Sequence, residues 1–238
     1  VMASIHNKID IRTYLINNFD VRNQNWCISQ NQQNHYIYLA NSEGLIEYNG
    51  IRWVTHELYD GQLVRSVLVH PNGDIFTGSF EDFGYWRHDS TGQLRYYSLA
   101  GLTSINKNDE IWRIFHINGI IYFQSFTTIY SYNGLGVTKE IAPYTMNLAH
   151  QVDNRIVVQI IDNGLFWFEE GNYKFIENSR EFSDKKISSI IPYNTNQWLI
   201  STEAHGLFLF NGLDFVNLPS EASVFLKEYT CNVGMQLN

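Results

Sequence analysis

The chain has 238 residues, of which 44% are hydrophobic, 15% aromatic and only 17% charged. This composition suits pleated sheets around a buried core and excludes an intrinsically disordered chain. The net charge of −8, with basic residues scattered along the chain, excludes nucleic-acid binding by this segment, because phosphate neutralisation needs a clustered basic surface.

The N-terminal segment 1–25 does not fit the repeat that follows it. Residues 9–15 look like an outer fourth strand that lacks the first three strands of its sheet. Propeller rings often close by combining strands from both ends of the chain, which protects the open sheet edges. We therefore predict that 9–15 is a ring-closing strand.

From residue 26 onward a short phrase recurs, in which Gly and Leu precede an apolar residue, any residue and an aromatic residue. Its copies begin at Gly44, Gly164 and Gly206, with weaker copies at Gly84 and Thr128. A strand-like run precedes each copy, and successive runs start about 40 residues apart, a repeat length typical of propeller blades. Turn residues such as Asn49-Gly50 separate the strand candidates within each unit, and Asn-Gly is a strong hairpin signal.

Each repeat contains four strand candidates, and four antiparallel strands at this period indicate a β-propeller blade. We predict an all-β propeller with five four-stranded blades, spanning 26–57, 62–100, 110–142, 145–178 and 185–219. A sixth blade is predicted to begin near 229, because Thr230-Cys231-Asn232-Val233 restarts the inner-strand pattern.

The number of blades indicates whether the ring is closed. A finished five-bladed ring would not begin a sixth inner strand, so we predict that 26–238 is one truncated domain, a fragment of a seven-bladed ring. The sheet edge near 218–238 would then be open, and open edges recruit other chains. Homodimer formation through this edge or through the propeller faces is the association that we expect.

The second blade carries the most specific sequence, His70-Pro71-Asn72-Gly73-Asp74 followed by Gly78-Ser79-Phe80-Glu81-Asp82-Phe83-Gly84-Tyr85-Trp86, and Asn25-Trp26 opens the first. With these phrases, residues 9–238 resemble the propeller repeats in the extracytoplasmic sensor regions of two-component and one-component regulators from Bacteroidetes, which respond to glycans. The resemblance implies a periplasmic sensor segment of a membrane-anchored protein, with an oligosaccharide or other small polar ligand. It also implies that the membrane helix and the kinase or DNA-binding output lie in parent regions outside this chain.

No catalytic motif is present in the sequence. Gly-x-Ser-x-Gly, phosphate-binding glycine loops and His-Glu-x-x-His are all missing, and the eight His residues are spread singly. We therefore expect no catalytic residues, no metal and no cofactor. Two other functions stay open, a protein-interaction scaffold and a glycan-active hydrolase, since a fold alone does not assign chemistry.

The candidate ligand-binding residues lie at the start of each inner strand. Aligning the repeats gives one column with Trp26, Arg65, Trp112, Met146 and Ser188, and a second with Cys27, Ser66, Arg113, Asn147 and Ser189. Neighbours on a strand face opposite ways, so one column should face the central channel. Aromatic rings stack on sugars, and Arg and Asn donate directed hydrogen bonds. The alternative is that the two Trp residues wedge between neighbouring blades.

A second candidate group consists of acidic residues in the loops between the second and third strands of the blades. It contains Glu81, Asp82 and Glu203. These loops should share a ring face with the entries to the inner strands, which makes the carboxylates candidate ligand contacts. The alternative is that they belong to solvated turns with local side-chain hydrogen bonds.

Overall fold

The computed structural model describes residues 24–234, which form five separate four-stranded antiparallel sheets. The first sheet contains β1 (Asn25–Gln30), β2 (Ile37–Asn41), β3 (Gly44–Tyr48) and β4 (Trp53–His56). The second contains β5 (Val64–Val69), β6 (Ile75–Ser79), β7 (Phe83–His88) and β8 (Leu94–Ser98). The third contains β9 (Arg113–Ile117), β10 (Ile120–Gln124), β11 (Thr128–Tyr132) and β12 (Val137–Ile141).

The fourth sheet contains β13 (His150–Val152), β14 (Arg155–Ile160), β15 (Gly164–Glu169) and β16 (Asn172–Phe175). The fifth contains β17 (Ile187–Asn194), β18 (Gln197–Thr202), β19 (Leu207–Phe210) and β20 (Phe215–Asn217). Each strand pairs with its neighbour in sequence, so each sheet is a meander. The predicted all-β propeller with five four-stranded blades is confirmed, and the predicted blade spans contain the four strands of each sheet except for Asn25, the first residue of β1.

Three Asn-Gly turns join the third and fourth strands of the first, third and fifth blades. Asn49 Oδ1 accepts hydrogen bonds from the backbone N–H groups of Ile51 and Arg52, both at 3.0 Å, and Gly50 has a φ of 91°. Asn133 and Asn211 make the same pair of bonds in the third and fifth blades. The side-chain amide thus fixes the turn, and with it the register of the outer strand.

The hydrophobic core lies between consecutive blades. Tyr38 and Leu45 of the first sheet pack with Val64 and Trp86 of the second, and all four are buried. Three further clusters join the second blade to the third, the third to the fourth and the fourth to the fifth. The second, third and fourth blades therefore bury both of their faces, and complete burial of a large apolar side chain stabilises the fold by roughly 1.5–3 kcal/mol.

The glycine that opens the recurrent phrase has a steric role. At Gly84, a Cβ atom would lie 2.2 Å from the backbone carbonyl oxygen of Tyr97 on the adjacent β8. At Gly44, a Cβ atom would lie 2.4 Å from the carbonyl oxygen of His56, and the φ of 127° also disfavours a side chain. Glycine therefore allows the third and fourth strands to approach closely at this end of the blade.

The C-terminal part differs from the prediction. Glu221–Glu228 form an α-helix, α1, whose first turn is capped by Ser220 Oγ accepting a hydrogen bond from Ser223 N at 3.0 Å. Residues 229–234 contain no strand, so the inner strand predicted to begin near 229 is not formed in the part of the chain described. The segment makes a single backbone bond to the fifth blade, from Cys231 N to Glu203 O at 3.0 Å, rather than a ladder.

The segment after α1 contacts the start of the inner strand of the fifth blade. Ser188 Oγ donates to the carbonyl oxygen of Cys231 at 2.5 Å. The predicted closing strand 9–15 lies outside the described residues. Between residues 24 and 234 no helix has the length and apolarity needed to cross a membrane.

Candidate functional site

The first strands of the blades are the inner ones. β1 packs beside β5, β5 beside β9, and β13 beside β17, as expected of strands that surround a central channel. Three of them start with a β-bulge, between Asn25 and Cys27, between Val64 and Ser66, and between Ile187 and Ser189. The residues left out of the pairing are Trp26, Arg65 and Ser188, all from the first predicted column. A bulge re-aims the side chain of the extra residue.

Trp26, Arg65 and Trp112, from three consecutive blades, form one cluster. The guanidinium carbon of Arg65 lies 3.8 Å from the centre of the Trp26 ring and 4.7 Å from that of Trp112. The two indole rings meet edge to face, with centroids 5.9 Å apart. Arg65 Nε donates to Glu110 Oε1 at 2.5 Å, and the Arg65 side chain is 15% exposed. We call these four residues the aromatic–arginine cluster.

The contacts of this cluster fit both predicted roles of its Trp residues, packing between blades and ligand binding. Arg65 covers one face of each indole, so those faces hold a cation of the protein itself and join blades to one another. Two buried polar atoms, Arg65 Nη1 and Trp112 Nε1, nevertheless have no hydrogen-bond partner among the described residues. Buried polar groups normally find a partner, so these two donors suit a polar ligand.

Arg113 faces away from this cluster, into a cavity of about 140 Å³ between the inner strands of the third, fourth and fifth blades. His150, Ser188, Ser189 and Gly234 also line it. Arg113 Nε and His150 Nε2 are buried without a hydrogen-bond partner in the described part of the chain. Burial, and secondly the charge of Arg113, lower the pKa of His150 to about 3, so the ring is neutral at neutral pH. We call this the axial cavity.

Asn147 takes part in a set of bonds that joins blades. Its Nδ2 donates to Gln159 Oε1 at 3.1 Å, and its carbonyl oxygen accepts from Gln124 Nε2 at 3.0 Å. Gln159 Nε2 donates to the carbonyl oxygens of Phe182 and Lys185, and its Oε1 accepts from Ile187 N. These contacts make Asn147 a structural residue in this arrangement, and the two buried glutamines link the third blade to the fourth and the fourth to the fifth.

The three acidic loop residues each bind groups of the protein itself. Glu81 Oε1 accepts from the backbone N–H of Asn108 at 2.6 Å. Asp82 accepts from Ser98 Oγ at 2.6 Å and from Tyr96 Oη at 3.0 Å. Glu203 accepts from Lys186 Nζ at 3.0 Å. The structure does not bring these carboxylates together with the aromatic–arginine cluster through any hydrogen bond among the described residues.

Three features of the inner face were not singled out in the sequence. His150 is one of eight scattered His residues, and its place in the axial cavity depends on strands that are far apart in the chain. Glu110 and Gln159 likewise gain their roles from partners on the next blade. A repeated Gln at the end of the second strand, Gln124 and Gln159, is the one pattern that sequence alignment of the repeats would have revealed.

An outer groove of about 710 Å³ lies between the fourth and fifth blades. Arg155 covers the Trp167 ring at 3.6 Å, and Trp198 Nε1 donates to Asp153 Oδ2 at 2.8 Å across the blade boundary. Arg155, Trp198 and Asp153 therefore have partners within the protein. None of the buried side-chain atoms that lack a hydrogen-bond partner among the described residues belongs to this groove.

The titratable residues do not gather as a metal site would. His70 and His116, distant in sequence, bring their rings to 4.3 Å, and burial lowers the pKa of His116. No cluster of three or more His, Cys, Asp or Glu that would hold a metal ion occurs among residues 24–234.

Comparison with known proteins supports the fold. No family model and no curated protein matches the chain. Among solved structures, virginiamycin B lyase from Staphylococcus aureus is 12% identical with a TM-score of 0.61, covering 86% of this chain and 74% of that one. The extracellular domain of a putative one-component system from Bacteroides thetaiotaomicron is 16% identical with a TM-score of 0.59, covering 79% of this chain and 26% of that one. A third structure, titled YCF48 bound to D1 peptide, is 11% identical with a TM-score of 0.60, covering 86% and 69%.

Proposed function

We propose that this chain is the ligand-recognising propeller of an extracytoplasmic sensor, part of a membrane-anchored regulator of the two-component type, and that its ligand is a glycan fragment. The observation that carries the proposal is the set of buried, unpartnered polar atoms on the inner strands: Arg65 Nη1, Trp112 Nε1, Arg113 Nε and His150 Nε2. They come from the second, third and fourth blades and lie at or next to the starts of the inner strands. Propeller packing does not explain them, because unsatisfied buried groups destabilise a fold.

The chemistry of these groups suits a sugar better than an apolar ligand. Indole N–H and guanidinium groups donate directed hydrogen bonds, and a neutral imidazole accepts one from a hydroxyl group. Sugars present hydroxyl groups, which both donate and accept hydrogen bonds, around an apolar ring face. The likeness of this fold to an extracellular domain of a Bacteroides regulator supports the proposed sensor function and an extracytoplasmic location.

A glycan array tests the proposal with the chain as it stands. We expect wild-type protein to bind a restricted set of glycans, and the double variant Arg65→Ala, Arg113→Ala to lose that binding at least tenfold, since each hydrogen bond from a charged donor contributes about 1.5–3 kcal/mol. Arg52→Ala, at an exposed turn, serves as the matched control. Unchanged binding by the double variant would overturn this location of the site.

The same experiment separates a sensor from an enzyme. Incubating the bound glycan with the protein and analysing the products by mass spectrometry should show intact glycan. Release of any shorter product would show a glycan-active enzyme instead. Glu81 and Asp82 bind Asn108 N and Ser98 Oγ of the protein itself. This supports a sensor over a hydrolase, because paired catalytic carboxylates need to face each other across a sugar.

An interaction scaffold is the second candidate, and α1 is the observation that favours it. Val224 and Phe225 on this helix are 65% and 57% exposed, and Tyr229 just beyond it is 54% exposed. Exposed apolar side chains that lie together mark protein-binding surfaces. Sedimentation of wild type and of Phe225→Ser would show whether the surface joins two copies of this chain. A dimer abolished by Phe225→Ser would favour the scaffold.

A further inference from the structure

The axial cavity holds an arginine whose charge is not balanced. Within residues 24–234 the Arg113 side chain forms no ion pair and no hydrogen bond, and its Nε is buried. Other arginines of the chain have carboxylate partners: Arg65 pairs with Glu110, Arg87 with Asp74, and Arg95 with Asp89. A guanidinium without a carboxylate partner, whose Nε is buried and unbonded, retains free donors, so the cavity is complementary to an anion.

The second group in the cavity is suited to a hydroxyl. The His150 ring lies beside the backbone of Ile187 and lines the cavity, and its buried Nε2 has no hydrogen-bond partner among the described residues. If Nδ1 carries the proton towards the Ile187 backbone, Nε2 carries the lone pair in the neutral ring. Nε2 is then an acceptor, next to a cation, and it fits a ligand hydroxyl group rather than a second oxyanion.

The serines complete a polar wall. Ser188 Oγ donates a hydrogen bond to the carbonyl oxygen of Cys231, and the hydroxyl groups of Ser189 and Ser201 share a hydrogen bond of 2.6 Å. Ser188 and Ser189 are 8% and 5% exposed, so both are held in place. A cavity of about 140 Å³ accommodates a carboxyl group with its neighbouring carbon atoms.

We propose that the axial cavity binds the hydroxycarboxylate end of an acidic saccharide, a uronic acid, with its carboxylate on Arg113 and a neighbouring hydroxyl donating to His150 Nε2. The inference rests on the proposed function in taking the ligand to be a saccharide. Arg113 supplies a planar pair of donors that matches a carboxylate, and the cavity lies between three blades, where a bound group would bridge them.

Matched sugars test this inference. We would titrate wild-type protein with D-galacturonate and D-glucuronate, and with D-galactose and D-glucose as their neutral partners, by calorimetry and by NMR of the His150 ring. We expect one acid to bind at least tenfold more tightly than its neutral partner and to shift the His150 resonances. Arg113→Gln should remove the preference, Arg113→Lys should keep part of it, and the exposed Arg52→Gln should leave it unchanged.

A folding control accompanies the titration. Because Arg113 lacks a partner, Arg113→Gln should melt at or above the wild-type temperature, so its loss of binding would not come from unfolding. Equal affinity for acid and neutral sugars, or undiminished binding of the acid by Arg113→Gln, would overturn the inference. Binding of neutral glycans alone would overturn it while leaving the sensor proposal intact. Binding of no saccharide at all would overturn both.

Discussion

The guanidinium group of Arg65, on β5, lies over the ring of Trp26, on β1, at 3.8 Å from its centre. The two residues belong to different blades and each stands at a β-bulge. The contact joins the first two inner strands through side chains, and Trp112 extends it to the third blade. A residue chosen as a ligand contact therefore also has a structural role.

Arg65→Ala should lower the free energy of unfolding by about 1–3 kcal/mol, because it removes two cation–π contacts and leaves Glu110 without its partner. Urea denaturation measures this loss. Arg52→Ala, at an exposed turn, should change it by less than about 0.5 kcal/mol. Equal stabilities of the two variants would show that the aromatic–arginine cluster does not hold the blades together.

Gln159→Ala should be among the more destabilising single changes in the fourth blade. It leaves the carbonyl oxygens of Phe182 and Lys185 and the N–H of Ile187 without their side-chain partner, at about 1–3 kcal/mol for each group left buried and unsatisfied. Chemical denaturation, with the exposed Gln32→Ala as control, measures the effect. A loss below about 1 kcal/mol would mean that water replaces the amide.

His150 should make stability fall in mildly acidic solution. Burial, and secondly Arg113, lower the pKa of His150 to about 3 from an ordinary value of 6.5. The unfolded chain therefore takes up this proton at higher pH than the folded chain. The stabilisation is complete above pH 6.5 and is lost as the pH falls towards 3, at up to about 1.4 kcal/mol per pH unit.

The measurement compares unfolding free energies of wild type and His150→Gln between pH 7 and pH 4. The variant should show a shallower dependence on pH, whereas His88→Gln, on the surface, should follow wild type. A wild-type slope retained by His150→Gln would assign the acid sensitivity to other groups.

Gly84→Ala should disrupt the second blade. The new methyl group would lie 2.2 Å from the Tyr97 carbonyl oxygen and 2.9 Å from the Tyr96 side chain, so β7 and β8 would have to separate. Overpacking of this kind typically costs about 1–3 kcal/mol. Thermal unfolding should show a clear decrease for Gly84→Ala and almost none for Gly101→Ala, where a Cβ atom meets nothing within 4 Å.

Asp82→Ala should affect stability and not ligand binding. Its carboxylate joins Ser98 and Tyr96 of β8 to the loop before β7, and hydrogen bonds to a charged group contribute about 1.5–3 kcal/mol. A double-mutant cycle with Tyr96→Phe should show a coupling energy of about 0.5 kcal/mol or more. Loss of glycan binding at unchanged stability would instead make Asp82 a ligand contact.

The repeat could be predicted from sequence because each blade is built by local rules. Strand, turn and strand follow within about 40 residues, and Asn-Gly turns such as Asn49-Gly50 mark the hairpins directly. The helix α1 was missed although Ser220 is a capping residue, because the repeat suggested a return to the inner strand there. Residues 229–234 lie beside the inner strand of the fifth blade without forming a strand.

The candidate site was less predictable because its contacts join residues of different blades. The first column did bring together Trp26, Arg65 and Trp112, since equivalent positions of neighbouring blades meet at the axis. Sequence did not show that Glu110 would pair with Arg65, or that His150 would lie next to Arg113. Such pairings depend on the bulges and on the angle between sheets, which alignment of the repeats does not contain.

The β-bulges determine which substitutions the inner strands can accept without a shift in register. Trp26, Arg65 and Ser188 stand at one structural position, yet they differ completely in size, charge and polarity. Because the extra residue lies outside the cross-strand pairing, a substitution there does not shift the register of the blade. Substitutions at these three positions should therefore change the inner surface of the blades while leaving the strand register of each blade intact.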